Sequence, residues 1–113
     1  MRTWPDPWAR RRARSRALYA AIAAKLRQDP DRVLAIARRN LRHLAEDPHT
    51  AYYYHEWARW LAAPLDALCT LLTDPSDYAE ALRHTSPFAG VLTPQERWAI
   101  YRRYRITEDG HAP

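Results

Sequence analysis

Thr93-Pro94-Gln95-Glu96 is the stretch on which the fold turns. A threonine before a proline, with glutamate three positions after the threonine, reads as a capping box that opens a helix. The Thr93 hydroxyl accepts from a first-turn N–H, Glu96 reaches back to the N–H of Thr93, and proline at the first helical position has its φ already set. The same punctuation recurs upstream at Asp6-Pro7, Asp29-Pro30, Asp47-Pro48 and Asp74-Pro75. Each pair predicts a helix start, and each proline also ends the helix before it, because the residue preceding proline is pushed out of the α region. Such a cap contributes about 1 kcal/mol.

Between these marks the apolar residues follow a helical period. Leu18, Ile22 and Leu26 recur in the first helix, and Val33, Ile36 or Ala37, Leu41 and Leu44 continue the pattern in the second. In the third, Tyr53, Trp57, Trp60 and Leu61 share a face; Pro64 breaks or kinks the chain, and Leu65, Leu68, Cys69 and Leu72 resume the stripe. A short helix from about Ser76 to His84 and a last one from Pro94 to about Arg105 complete the set. Glycine occurs only at Gly90 and Gly110, which disfavours the positive-φ turns of an antiparallel sheet. The expectation is an all-α, compact single-domain bundle of about five to six helices over residues 1–105, with an arginine-rich first helix at about 7–27 and a loose tail over 106–113.

One segment departs from this order. Ser86-Pro87-Phe88-Ala89-Gly90-Val91-Leu92 has no period and is apolar, unlike most loops. It reads as chain folded over its own core, or as an anchor that inserts Phe88 into a partner; the first reading is preferred.

No stretch approaches the roughly 20 apolar residues of a membrane span. Arg10 to Arg16 followed by Ala17 to Ala24 imitates a secretion signal, but the short alanine run continues into Lys25 and Arg27 without a cleavage loop. A cytoplasmic location is expected. The one cysteine, Cys69, excludes an intramolecular disulfide and reads as a small buried side chain.

Signatures of catalysis are missing. His55-Glu56 opens like a zinc-protease helix, but Arg59 stands where the second histidine is needed. The histidines, His43, His49, His55, His84 and His111, form no pair at metal-ligand spacing, and there is no phosphate loop or nucleophile elbow. The chain is expected to be no enzyme and to carry no metal or cofactor.

Charge and aromatic residues supply the candidate binding sites. Residues 1–16 hold Arg2, Arg10, Arg11, Arg12, Arg14 and Arg16 against Asp6, a net of +5, whereas residues 43–96 carry a net of −6. Lysine occurs once, as Lys25, a bias that a GC-rich coding genome would produce without selection for function, so the arginine count by itself is no evidence of a binding site. On a helix Arg10 and Arg14, with Arg11 beside them, line one side; with Arg12 and Arg16 they are candidates for binding nucleic acid or an acidic protein surface. A solvated helix end is the plain alternative. Tyr52, Tyr53, Tyr54, Trp57 and Trp60 form one aromatic cluster, and Trp98, Tyr101 and Tyr104 another. Most are expected in the core, yet consecutive tyrosines project roughly 100° apart, so one of Tyr52, Tyr53 and Tyr54 must leave the buried face. With Phe88, Trp98 and Tyr101, that cluster supplies the candidate partner-binding residues.

Asp29-Pro30, Val33-Leu34, Ala37-Arg38-Arg39-Asn40-Leu41, Glu56-Trp57, the segment Ser86–Leu92 and Glu96-Arg97-Trp98 together resemble small bacterial antitoxin-like proteins encoded beside nucleotidyltransferase-like toxins of the AbiEii type. The likeness spans about residues 29–105. It implies a type II antitoxin that binds and neutralises a cognate toxin by forming a complex with it. The arginine-rich first helix has no counterpart in that pattern. It supports the alternative, a nucleic-acid-binding transcriptional regulator whose arginine helix meets the phosphate backbone while the acidic middle faces away; an autorepressing antitoxin would combine the two roles.

Overall fold

The computed structural model describes residues 6–105, so the expected tail over 106–113 and Arg2 lie outside the described residues. Six α-helices make up the fold: α1 (Pro7–Gln28), α2 (Pro30–Ala45), α3 (Ala51–Leu61), α4 (Leu65–Thr73), α5 (Asp77–Arg83) and α6 (Pro94–Arg103). There is no strand among the described residues. No helix there is long and apolar enough to cross a membrane.

The caps explain most of the boundaries. Asp6 accepts from the Ala9 N–H at 2.6 Å. Asp29 accepts from Arg32 N–H at 3.4 Å while its own N–H donates to the Lys25 carbonyl at 2.9 Å, so one residue closes α1 and opens α2. The capping box is complete: Glu96 N–H to Thr93 Oγ1 at 3.1 Å and Thr93 N–H to Glu96 Oε1 at 2.8 Å.

Two of the expected starts act differently. Asp47 accepts from His49 N–H at 2.9 Å and opens only a 3-10 turn, Pro48–Thr50, before α3. Asp74 accepts from Ser76 N–H at 2.9 Å, and it is Ser76 that caps α5 by accepting from Ala79 N–H at 3.2 Å. In both, the carboxylate bonds two residues ahead in an Asx turn, and the helix proper starts later. Pro64 breaks the chain between α3 and α4 rather than kinking one helix.

The core gathers Leu26, Val33, Ala37, Trp57, Leu68, Leu72, Ala79 and Leu82, with Phe88 and Val91 from the segment before α6. That segment is folded over the core, and its backbone groups find partners as a buried loop requires. Asn40 Nδ2 donates to the carbonyls of Pro87 and Ala89, both at 2.8 Å, and Arg32 Nη2 donates to Val91 O at 3.3 Å. Gly90 sits at φ +90, where a side chain is rarely tolerated.

α1 and α6 run antiparallel. Lys25 Nζ meets Glu96 Oε2 at 2.7 Å at one end of the pair, and Arg10 Nη1 donates to Tyr104 O at 3.2 Å at the other. The beginning of the described chain and its end are therefore neighbours in space.

Candidate functional site

The antiparallel pairing brings two arginine-rich stretches, distant in sequence, to the same end of the molecule, where they form its basic edge around the Arg10–Tyr104 and Arg14–Tyr101 contacts. Arg10, Arg11, Arg12, Arg14 and Arg16 come from the first half of α1, and Arg102, Arg103 and Arg105 from the end of α6. Among the described residues the ion pairs are Lys25–Glu96, Arg27–Asp66, Arg32–Asp29 and Arg59–Glu56. None of the eight arginines of the edge is neutralised by a carboxylate there.

They do not all face solvent alike. Arg10 is half-buried and bonded to Tyr104 O, and the Arg14 guanidinium lies over the Tyr101 ring at 5.2 Å. The expected stripe of Arg10, Arg14 and Arg11 is thus split, because the first two turn towards α6 and help hold it. Arg11, Arg12 and Arg16 are the exposed arginines in the first half of α1, and Arg11 lies over the Trp8 ring at 5.1 Å.

Beside this edge α1 and α5 enclose an open groove of about 320 Å³. Trp8, Arg11, Arg12, Arg14, Ser15 and Arg16 line it from α1, with Glu80 and Arg83 from α5 and His84 just after it. Glu80 belongs to the acidic middle of the sequence, so that segment does not lie wholly away from the basic end.

Arg83 is only 8% exposed. Its Nη1 donates to Leu71 O at 3.2 Å and Leu72 O at 3.4 Å, near the C-terminal end of α4, where the helix dipole favours a cation. The guanidinium also lies over Tyr19 at 5.7 Å, and the Tyr19 hydroxyl donates to Arg83 O at 3.0 Å. Burial pushes the Tyr19 phenol above its ordinary pKa, so it stays a neutral donor. Arg83 forms a fixed, buried positive floor to the groove.

The aromatic candidates separate into core and surface. Trp57, at 0% exposure, donates its indole N–H to Leu82 O at 3.1 Å, and Phe88 is 2% exposed; both are core residues and are withdrawn as partner-binding residues. Tyr53 and Tyr54 are half-buried against the core, and Tyr52 is the one of the three that leaves the buried face. Trp60 is half-buried and donates to Tyr78 Oη at 2.8 Å, while Tyr78 donates to Glu56 at 2.5 Å. Burial first, then the Glu56 carboxylate, raises the Tyr78 pKa. Trp98 and Tyr101 are exposed on α6, Trp98 at 56%.

The residues not singled out in the sequence are Trp8, Arg102, Arg103 and Arg105. The run Arg102-Arg103-Tyr104-Arg105 was visible, but basic residues at a helix C-terminus are the ordinary partners of its dipole. Trp8 stands at helical spacing from Arg11 and Arg12, a weak signal without the groove. Among the described residues no group of histidine, cysteine and carboxylate side chains could hold a metal ion. Cys69 is buried, and burial raises its thiol pKa.

No family model, no curated protein and no solved structure matches this chain.

Proposed function

We propose that this chain is a binding protein that performs no reaction and attaches through its basic edge to the phosphate backbone of nucleic acid, as a regulator would. One observation carries the reading: eight arginines gather at the end of the molecule where the start of α1 meets the end of α6 through Arg10–Tyr104 and Arg14–Tyr101, and among the described residues no carboxylate is paired to any of them. Packing does not require Arg11, Arg12, Arg16, Arg102, Arg103 and Arg105, which are all exposed. Like charges held together in this way cost self-repulsion that a polyanion removes, releasing its condensed counterions.

The test is fluorescence anisotropy of labelled DNA and RNA with the full chain across salt concentrations. If the six exposed arginines each meet a phosphate, affinity falls on the order of 10³ between about 50 and 200 mM salt. Replacing Arg11, Arg12 and Arg16 with alanine flattens that slope. Absence of binding at low salt, or binding that ignores these substitutions, rejects the reading.

A second reading is supported by Trp98 and Tyr101, exposed on α6 beside the same edge. Tryptophan, tyrosine and arginine are the residues most enriched at the energetic centres of protein interfaces. With the antitoxin resemblance, they support neutralisation of a nucleotidyltransferase-like toxin by complex formation. Co-expression with the adjacent reading frame tests it: failure both to co-purify and to relieve growth arrest rejects it.

A further inference from the structure

We infer that the groove between α1 and α5 seats an unstacked nucleotide, so that the nucleic acid held by the basic edge is single-stranded. The inference rests on the phosphate-binding reading above and narrows its ligand. Its first support is Trp8, which is 65% exposed on the arginine face of α1. Arg11 covers the ring at 5.1 Å, and the core takes no part in holding it. An exposed indole backed by a guanidinium is a stacking platform, and only a base freed from a duplex can lie on it.

The second support is size. At about 320 Å³ the groove sits at the small end of ligand sites, which run roughly 300–1,000 Å³, and suits one nucleotide rather than a duplex edge. The third is the distribution of polar groups. Trp8, Arg11, Arg12, Ser15 and Arg16 follow helical spacing along one wall of α1, so a base on Trp8 leaves its own phosphate near Arg12, about 6 Å along the axis, with Ser15 and Arg16 a further turn on, towards the next phosphate. Arg83, buried and fixed by the α4 carbonyls, adds positive potential from below. Glu80 on the opposite wall is an acceptor for a base amino group or a sugar hydroxyl, and it disfavours an acidic peptide in the same place.

Charge density alone would favour the duplex, so the comparison of strands is decisive. The full chain is titrated into a labelled single strand of about 12 nucleotides, its duplex with the complementary strand, and poly-glutamate, all at low salt. The expected result is tighter binding of the single strand than of the duplex and weak binding of poly-glutamate. Trp8→Ala lowers single-strand affinity by about tenfold, leaves duplex affinity unchanged, and is rescued in part by Trp8→Phe. Equal or tighter duplex binding, or a Trp8→Ala variant that binds the single strand as the parent does, overturns the nucleotide groove while phosphate binding by the edge survives. Poly-glutamate bound as tightly as the single strand also overturns it. Binding to neither nucleic acid rejects the broader reading as well. Trp8 is exposed, so circular dichroism of the variant should match the parent and separate lost binding from lost fold.

Discussion

Trp57 and Phe88 meet edge to face, with ring centroids 5.6 Å apart and planes at 79°. This contact ties the segment before α6 to α3, so two aromatic residues that read as partner anchors are joined inside the molecule. Phe88→Ala should cost about 3–5 kcal/mol through lost burial and the cavity left behind. That is a large part of the roughly 5–15 kcal/mol that holds a typical domain folded. Urea denaturation should show a steep fall in midpoint or an unfolded variant; a loss below about 1 kcal/mol would contradict the packing described.

Asn40 supports the same segment from α2, donating to Pro87 O and Ala89 O at 2.8 Å each. Asn40→Ala removes both bonds and should cost about 1–3 kcal/mol. Asn40→Asp keeps the shape but sets a carboxylate against two carbonyl oxygens, so near neutral pH it should be at least as destabilising. If aspartate is tolerated better than alanine in thermal melts, the two hydrogen bonds are not what holds the segment.

Asn40, Trp57 and the stretch from Pro87 to Leu92 are also among the residues that carry the antitoxin resemblance. In space they pack together, Asn40 on the carbonyls of Pro87 and Ala89 and Trp57 on Phe88, so packing is one reason for their pattern. The helices themselves were legible because caps and apolar period are local: Asp29-Pro30 and Thr93-Pro94 set boundaries through bonds spanning three residues. The basic edge was half legible. Arg10 to Arg16 stand in one run, but their meeting with Arg102, Arg103 and Arg105 depends on the antiparallel approach of α6 to α1, a contact between residues some ninety positions apart. The roles of Trp57 and Phe88 could not be told from composition, since an aromatic at helical spacing serves a core and an interface equally well.

Gly90 occupies φ +90, and a Cβ built there would meet nothing within 4 Å. Any penalty for Gly90→Ala therefore comes from the backbone, about 1–2 kcal/mol, and not from a clash. Asparagine, which visits positive φ more readily, should cost less than alanine at this position. Equal losses for the two in denaturant titrations would point to packing instead.

The Glu96 carboxyl is held down to a pKa of about 2, first by the Lys25 ammonium and then by the Thr93 backbone N–H. A depressed folded-state pKa means that the contribution is fully present above the unfolded value near 4.5 and is lost as pH falls towards about 2. NMR titration of the Glu96 side chain should show the low value, and Lys25→Ala should raise it. Stability should decline over that acid range more steeply in the parent than in the Lys25→Ala variant. A Glu96 titrating near 4.5 in the parent would remove both the ion pair and the capping box as its determinants.

Trp98 separates folding from partner binding. At 56% exposure it contributes little to the core, so Trp98→Ala should shift stability by no more than about 0.5 kcal/mol. If α6 is an interface anchored by this ring, the same change should weaken a protein complex by 2 kcal/mol or more, on the order of 30-fold in Kd. The Arg14 guanidinium over Tyr101 holds the neighbouring ring, so Tyr101→Ala should affect both stability and binding, whereas Trp98→Ala affects binding alone. Calorimetry with the product of the adjacent reading frame, set beside nucleic-acid titrations of the same variant, assigns the face. A loss confined to the protein complex makes α6 the toxin-binding surface, one confined to nucleic acid extends the basic edge across α6, and no loss in either leaves Trp98 outside both sites.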